Sequence, residues 1–437
     1  MRTARKLFGT DGVRGEVGSF LSAELATALG RATTTSLEAE RPQVLIVRDT
    51  RESGPMLEAA LAAGIAAAGG DALLAGVLPT PAAAILVRRL GLDLAAVVSA
   101  SHNPFRDNGI KFFDSSGTKL ADAVEAEIEA LIDEAPAAER PGRVSELNAG
   151  LEDYLRELQS AFPLDLSGQR VVLDCANGAT FRAAPAIFER LGAEVEAIGA
   201  EPDGRNINAG CGSTHVESLA ERVAASSADI GFAFDGDGDR VLAVDGSGRV
   251  HDGDELIALA ARGLAARGEL GGGVVVTVMS NFGFHRAMAE AGIEVAVTQV
   301  GDRYVIDEML RRDWNLGGEQ SGHIIASDFT ATGDGIAAAL MTMRELAGAK
   351  LAEAVPMEKL PQVLVNVAVA DRTAIEGATK VWEAVERAGE ELEGRGRVLL
   401  RPSGTEPLVR VMVEAPSADE AEAVAGRLAA LVRDELA

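Results

Sequence analysis

The chain has 437 residues, 47% hydrophobic and 25% charged, and a formal net charge of −26 at neutral pH. That length exceeds what one hydrophobic core organises, so several domains are expected. The acidity leaves no basic tract to displace phosphate counterions and excludes nucleic acid as a partner. A small anionic ligand stays open, because a few converging arginines with a metal ion can reverse the local field.

Cys175 and Cys211 form no Cys-x-x-Cys pair and read as buried small apolar residues in a reducing compartment. The basic segment Met1–Lys6 is followed by no signal-type apolar run. The most apolar stretch, Leu57–Val77, is interrupted by Glu58 and Asp71. No membrane association is expected, and the location expected is cytoplasmic. With aromatics at only 4% and Gly, Ala and Val frequent, the composition suits helix-on-sheet layers, an α/β class.

In chain order, one pattern is told three times. A strand at Gln43–Val47 leads to a helix from Ser53–Gly54–Pro55 to Ala68, stopped by Gly69–Gly70, and to a strand at Ala72–Leu74. After another helix, the strand Ala95–Ser99 enters the polar loop Ser101–Asn108, and Ile110–Phe113 returns. The second copy runs through the strand Arg170–Asp174, the helix Phe181–Leu191 and the strand Glu194–Ile198. The strand Asp229–Phe234 then enters the loop Asp235–Arg240, with Val241–Val244 returning. The third has Gly273–Val278, the helix Gly283–Ala291, the strand Glu294–Thr298, the loop Gly317–His323 and the return Ile324–Ala326. Helices stopped by glycine before β-branched strands mark βαβ units.

The tail differs: strands at Gln362–Val369, Val398–Leu400 and Leu408–Glu414, and amphipathic helices at Thr373–Ala388 and Ala418–Leu436. The fold expected is therefore α/β, with three related α/β mixed-sheet domains and a smaller C-terminal α+β domain. The domains expected are residues 1–152, 153–252, 253–360 and 361–437, with Gly348–Pro361 as the linker into the last.

Five loops carry chemistry. Asp235–Gly236–Asp237–Gly238–Asp239–Arg240 sets three carboxylates at alternate positions between glycines, so all three can face one hard cation. A calcium EF-hand would need Gly at Arg240 and Glu at Gly246, and has neither. Ser99–Ala100–Ser101–His102–Asn103–Pro104 places Ser101 at a strand end as a nucleophile or phosphate carrier, with an Asx-type turn as the plain alternative. His102 is a candidate there, although its adjacency to Ser101 is a poor spacing for a base. Lys111, in an apolar return strand, is a candidate for burial at the same site.

Glu319, Ser321 and His323 alternate in a glycine-framed loop suited to a polyhydroxyl ligand. Arg401–Pro402–Ser403–Gly404–Thr405–Glu406–Pro407, with Arg410, forms an anion cradle fit for a phosphate monoester. In Gly9–Thr10–Asp11–Gly12–Val13–Arg14–Gly15, Arg14 can reach a phosphate. Together the loops describe phosphoryl transfer on a phosphosugar.

These five loops resemble, in order, the signature loops of the α-D-phosphohexomutases, and the resemblance spans essentially the whole chain. Finer segments (Gly212–Ser213–Thr214–His215, Val300–Gly301–Asp302–Arg303–Tyr304–Val305 and Pro361–Val367) resemble that family's phosphoglucosamine mutase branch. The resemblance implies four domains around a central cleft and Mg²⁺ held by Asp235, Asp237 and Asp239 beside a phosphorylated Ser101. It implies Lys111 and Arg14 assisting proton transfer and charge stabilisation near the phosphoserine, Arg240 lining the same region, Glu319 and Ser321 as sugar ligands with His323 beside them, and Arg401, Ser403, Gly404, Thr405 and Arg410 on the distant phosphate. A hexose 1,6-bisphosphate as intermediate and activator and a small phosphosugar substrate follow from it. Members of the branch often dimerise, so a homodimer is compatible with it.

Overall fold

A computed structural model of the protein describes residues 7–9, 11–392, 394–403 and 407–436. The pattern told three times in the sequence is realised as three mixed sheets of one plan. In the first, Asp71–Val77, Gln43–Arg48 and Leu94–Val98 lie parallel, and Asp107–Asp114 returns antiparallel. In the second, Glu194–Ile198, Arg170–Asp174 and Ile230–Phe234 are parallel and Val241–Asp245 returns. In the third, Glu294–Thr298, Gly273–Thr277 and Leu316–Gly318 are parallel and Ile324–Ala326 returns. Each polar loop is thus the hairpin between a third strand and its return.

The strands Leu94–Val98, Ile230–Phe234 and Gly273–Thr277 are buried at every position, as sheets covered on both faces require. The first sheet gains two edge strands. Val13–Glu16, which carries Arg14, pairs antiparallel with Asp107–Asp114, and Val144–Glu146 lies beside Asp71–Val77.

The C-terminal sheet is three-stranded and antiparallel: Gln362–Ala368, Leu408–Glu414 and Arg397–Pro402, with Leu408–Glu414 central. Val367, Val409, Val411 and Val413 pack there with Leu428 and Val432 of the helix Ala418–Leu436. The helix expected over Thr373–Ala388 is broken. A 3₁₀ turn spans Arg372–Gly377, Asp371 caps it by accepting from the Thr373 amide (2.8 Å), and the α-helix Thr379–Glu391 follows only after Ala378 leaves helical geometry. The expected linker also holds a helical turn, Leu351–Ala354, with Leu351 buried.

By its contacts the chain divides into two compact units, 1–279 with 293–355, and 280–292 with 356–437. The second unit therefore includes the helix Phe282–Glu290. Within that unit, Asn281 is joined to Leu360 through both side-chain atoms, Glu414 accepts from the Phe282 amide (2.7 Å), and Arg397 donates to the Ser280 carbonyl (2.6 Å). Among the described residues no helix is long and apolar enough to cross a membrane.

His251, on the short edge strand Val250–His251 of the second sheet, ties that sheet to the helix that follows. It is fully buried, with Nδ1 3.0 Å from Glu255 and Nε2 3.0 Å from Asp245. Burial opposes its charge, but Glu255 and Asp245 outweigh it and raise the imidazole above its ordinary value. A raised histidine contributes stability that is complete below about pH 6.5 and lost as pH rises through the folded value. Urea unfolding is thus expected to show stability falling above about pH 6.5 with a His251-dependent slope of at most about 1.4 kcal/mol per pH unit, absent in His251→Gln. An identical slope in the variant would refute the ion-pair reading.

Candidate active site

The acidic loop is aimed by its backbone. The carbonyls of Gly236, Asp237 and Gly238 accept in turn from the amides of Ala179 (2.8 Å), Thr80 (2.8 Å) and Gly335 (3.0 Å). Thr80 and Gly335 open the helices Thr80–Leu90 and Gly335–Leu346, so two helix N-termini with unused amide donors grip the loop. With its carbonyls held outward, the carboxylates of Asp235, Asp237 and Asp239 are free to converge. All three are buried, and one oxygen from each lies within 4.8 Å of the others. Burial first, then Asp239 and Asp237, pushes the Asp235 carboxyl well above the ordinary carboxylate range. The Oδ1 atoms of Asp237 and Asp239 are buried with no hydrogen-bond partner. Three converging hard oxygen donors, two of them unsatisfied, suit a divalent cation such as Mg²⁺.

Ser101 points into the triad. Its Oγ donates to Asp235 Oδ2 at 2.5 Å and lies 3.3 Å from His102 Nδ1, so the adjacent histidine does face the hydroxyl. Ser101 is buried in the left-handed region, φ +50°. Gly236 makes the approach possible: a Cβ there would sit 2.5 Å from the Ser101 carbonyl oxygen.

Lys111 is buried on the return strand. Its Nζ is 2.7 Å from Asp237, 3.7 Å from Asp239 and 3.8 Å from Asp11. Burial opposes the ammonium, yet Asp11, Asp237 and Asp239 together raise its pKa above the usual lysine range. Arg14 pairs with Asp11, and Lys119 bridges Asp11 (2.5 Å) and Asp302. Arg240 lies beside Asp239, with Nε 3.8 Å from its carboxylate.

The third loop meets the same place. His323 is buried. The Gly333 amide donates to its Nε2 (3.1 Å), so the proton of the neutral ring sits on Nδ1, 3.7 Å from Asp239. Glu319 accepts from the Gly301 amide at 3.0 Å, while Ser321 is exposed. Gly322, at φ +90°, lets the loop press on the acidic loop's exit: a Cβ would fall 2.2 Å from the Val241 carbonyl. Ser101, His102, Lys111, Arg14, the three aspartates, Arg240 and His323 are thus neighbours, with Glu319 on the same loop as His323.

The fourth loop belongs to the second unit. Arg401 and Arg410 stand directly opposite on neighbouring strands. Burial and then Arg410 lower the Arg401 pKa. The Ser403 carbonyl accepts from Arg372 at 2.7 Å. Gly404 and Thr405 lie outside the described residues.

Several residues of the site were missed in the sequence. Thr80 donates to Asp237 Oδ2 at 2.6 Å, Arg51 and Asn208 hold the Ser101 carbonyl (2.9 Å each), and Lys119 closes the Asp11–Asp302 link. Only Arg51 left a legible trace, as a charged pair with Asp49 placed straight after the apolar strand Gln43–Arg48.

Four family models match in succession, all described as phosphoglucomutase/phosphomannomutase: domain I at residues 5–139, domain II at 152–248, domain III at 252–362 and the C-terminal domain at 364–431. The chain is 51% identical to the phosphoglucosamine mutase of Pelotomaculum thermopropionicum over 98% of this chain and 99% of the relative. It is 53% identical to that of Moorella thermoacetica over 95% and 97%. A crystal structure of a phosphoglucomutase/phosphomannomutase family protein from Burkholderia thailandensis superposes with a TM-score of 0.83 at 25% identity, covering 98% of this chain and 97% of that one.

Proposed function

The chain belongs to the phosphoglucomutase/phosphomannomutase family, and from that premise we propose that it is a phosphoglucosamine mutase, interconverting glucosamine 6-phosphate and glucosamine 1-phosphate. The single observation that carries the chemistry is Ser101 Oγ set 2.5 Å from Asp235 inside a buried triad of carboxylates. The sugar is supported by relatives at 51% and 53% identity over nearly the whole chain that are phosphoglucosamine mutases.

In this reading Ser101 carries a phosphoryl group. The free hydroxyl of the bound sugar phosphate attacks phosphorus, the P–Oγ bond breaks as the new P–O bond forms, and glucosamine 1,6-bisphosphate results. The hydroxyl gives up its proton to the site, and Ser101 Oγ gains one. The bisphosphate turns over, its other phosphoryl group returns to Ser101, and the proton movements reverse, so the cycle is balanced. Asp235, Asp237 and Asp239 would hold Mg²⁺, which when bound supplies positive charge to the transferring group. Lys111, Arg14 and Arg240 add fixed positive charge, already oriented by Asp237, Asp11 and Asp239. His102 and His323 are the groups through which the protons pass, while Lys111 stays charged.

Glu319 and Ser321 would bond sugar hydroxyls, while Arg401, Ser403, Gly404, Thr405 and Arg410 would hold the phosphate that is not reacting. A trace of hexose 1,6-bisphosphate primes Ser101. The same reading separates the four parts of the chain near residues 152, 252 and 360.

The test is phosphorus NMR on the purified protein with Mg²⁺, a trace of glucose 1,6-bisphosphate and, separately, glucosamine, glucose and mannose 6-phosphates. Faster formation of the 1-phosphate from the amino sugar is expected. Preference for glucose or mannose would keep the mechanism and overturn the substrate, and free phosphate without any 1-phosphate would overturn both.

A further inference from the structure

Ser101 sits in a backbone conformation that side-chain-bearing residues rarely adopt, φ +50°, and something must hold it there. Its amide donates to Ser99 Oγ at 3.0 Å, and Ser99 Oγ in turn donates to Asp49 at 2.6 Å. Its carbonyl accepts from Arg51 Nη2 and Asn208 Nδ2, both at 2.9 Å. Arg51 is completely buried. All five of its N–H donors have acceptors: Nε on Asp49 (2.8 Å), Nη1 on the carbonyls of Pro104 and Asp107, and Nη2 on those of Ser101 and Asn103. Four of the five thus go to one loop, spanning Ser101 to Asp107. Asn208, itself at φ +57°, binds two of the same carbonyls from the second sheet's side.

A buried guanidinium is expensive to desolvate, and a stable core does not need one here. Its planar fork is suited to fixing several carbonyls at once in a set geometry. We infer that Arg51, with Asn208, is a positioning residue that locks the Ser101 peptide so that Oγ faces the aspartate triad in both half-reactions. Neither side chain touches the reacting atoms, so both act through Ser101. This rests on Ser101 being the phosphoryl carrier.

The signature of such a role is loss of turnover without loss of substrate affinity, since misplacing a reacting atom by about 1 Å costs on the order of 100-fold. Arg51→Lys keeps the charge but replaces the five-donor fork with a single ammonium. Its kcat is expected to fall about 100-fold with KM within about threefold of wild type. The phosphorus resonance of phospho-Ser101 should shift or broaden in the same variant.

Asn208→Ala removes only one of the two donors on the Ser101 carbonyl, and a kcat loss of about tenfold is expected with KM unchanged. It also decides the matter should Arg51→Lys not fold. Wild-type kcat in the folded variants, or kcat and KM changing in parallel with an unaltered phosphoserine signal, would overturn the inference. Activity in Ser101→Ala, measured alongside, would instead overturn the reading on which it rests.

Discussion

Ser101→Ala is expected to lose mutase turnover by more than about 10⁴-fold while keeping its fold. The reason is chemical: without Oγ there is no acceptor for the returning phosphoryl group, and no neighbour can replace it. The structural cost is small by comparison. The hydroxyl donates to one carboxylate oxygen and approaches one histidine nitrogen, so unfolding free energy should change by about 1–2 kcal/mol. Ser101→Gly is a useful control, because glycine adopts φ +50° without strain and should be at least as stable as the alanine variant and equally inactive. Thermal melts beside the phosphorus NMR assay check both halves. Turnover in either variant would remove Ser101 from the mechanism.

The second large effect concerns the cation. Chelation is expected to abolish turnover reversibly and also to lower the melting temperature. Asp235, Asp237 and Asp239 share a buried space where burial and mutual repulsion hold Asp235 protonated beyond the ordinary range. A ligand that binds only the folded state stabilises it by about 2.7 kcal/mol at 100 times its Kd. Mg²⁺ titrated into the chelated protein should therefore raise the melting temperature in a saturable way. Asp239→Asn removes one charge with little change of shape, and its Oδ1 makes no hydrogen bond that the change would break. In that variant the magnesium-dependent rise should shrink or vanish, and kcat should fall by about 100-fold or more. The melting readout does not depend on catalysis. No dependence of melting on Mg²⁺ in the wild type would dismiss the triad as a metal site.

What could be read in advance follows a physical divide. Arg170–Asp174, Glu194–Ile198 and Glu294–Thr298 match their expected ends residue for residue, because β-branched runs that follow Gly168, Gly192 and Gly292 are set by local rules. The Asp235–Arg240 loop was legible for the same reason, since its spacing alone constrains what it can bind. The strand Val13–Glu16 was not legible, because its glycines mask it and its strand partner, Asp107–Asp114, lies far along the chain. The break at Gly377–Ala378 was hidden by an amphipathic pattern that runs through it.

Asn208, Thr80 and Lys119 matter through neighbours that are distant in sequence, and Arg51 largely so, its pair with Asp49 apart. Asn208 reaches across 107 positions to Ser101, Lys119 across 183 to Asp302, and no local pattern encodes either meeting. Lys111 lies between these cases. Its apolar strand signalled burial, but not that three carboxylates would compensate it.

The membership of Phe282–Glu290 in the second unit has a consequence for synthesis on the ribosome. The helix emerges long before Leu360, Arg397 and Glu414, the residues that bond to its leading segment. At about 5–20 residues per second, it waits on the order of ten seconds for them. Throughout that interval Ser280, Asn281 and Phe282 lack those partners, just ahead of Phe284 and Met288, which are fully buried in the finished protein. The segment is therefore tied down only once Glu414 has been made.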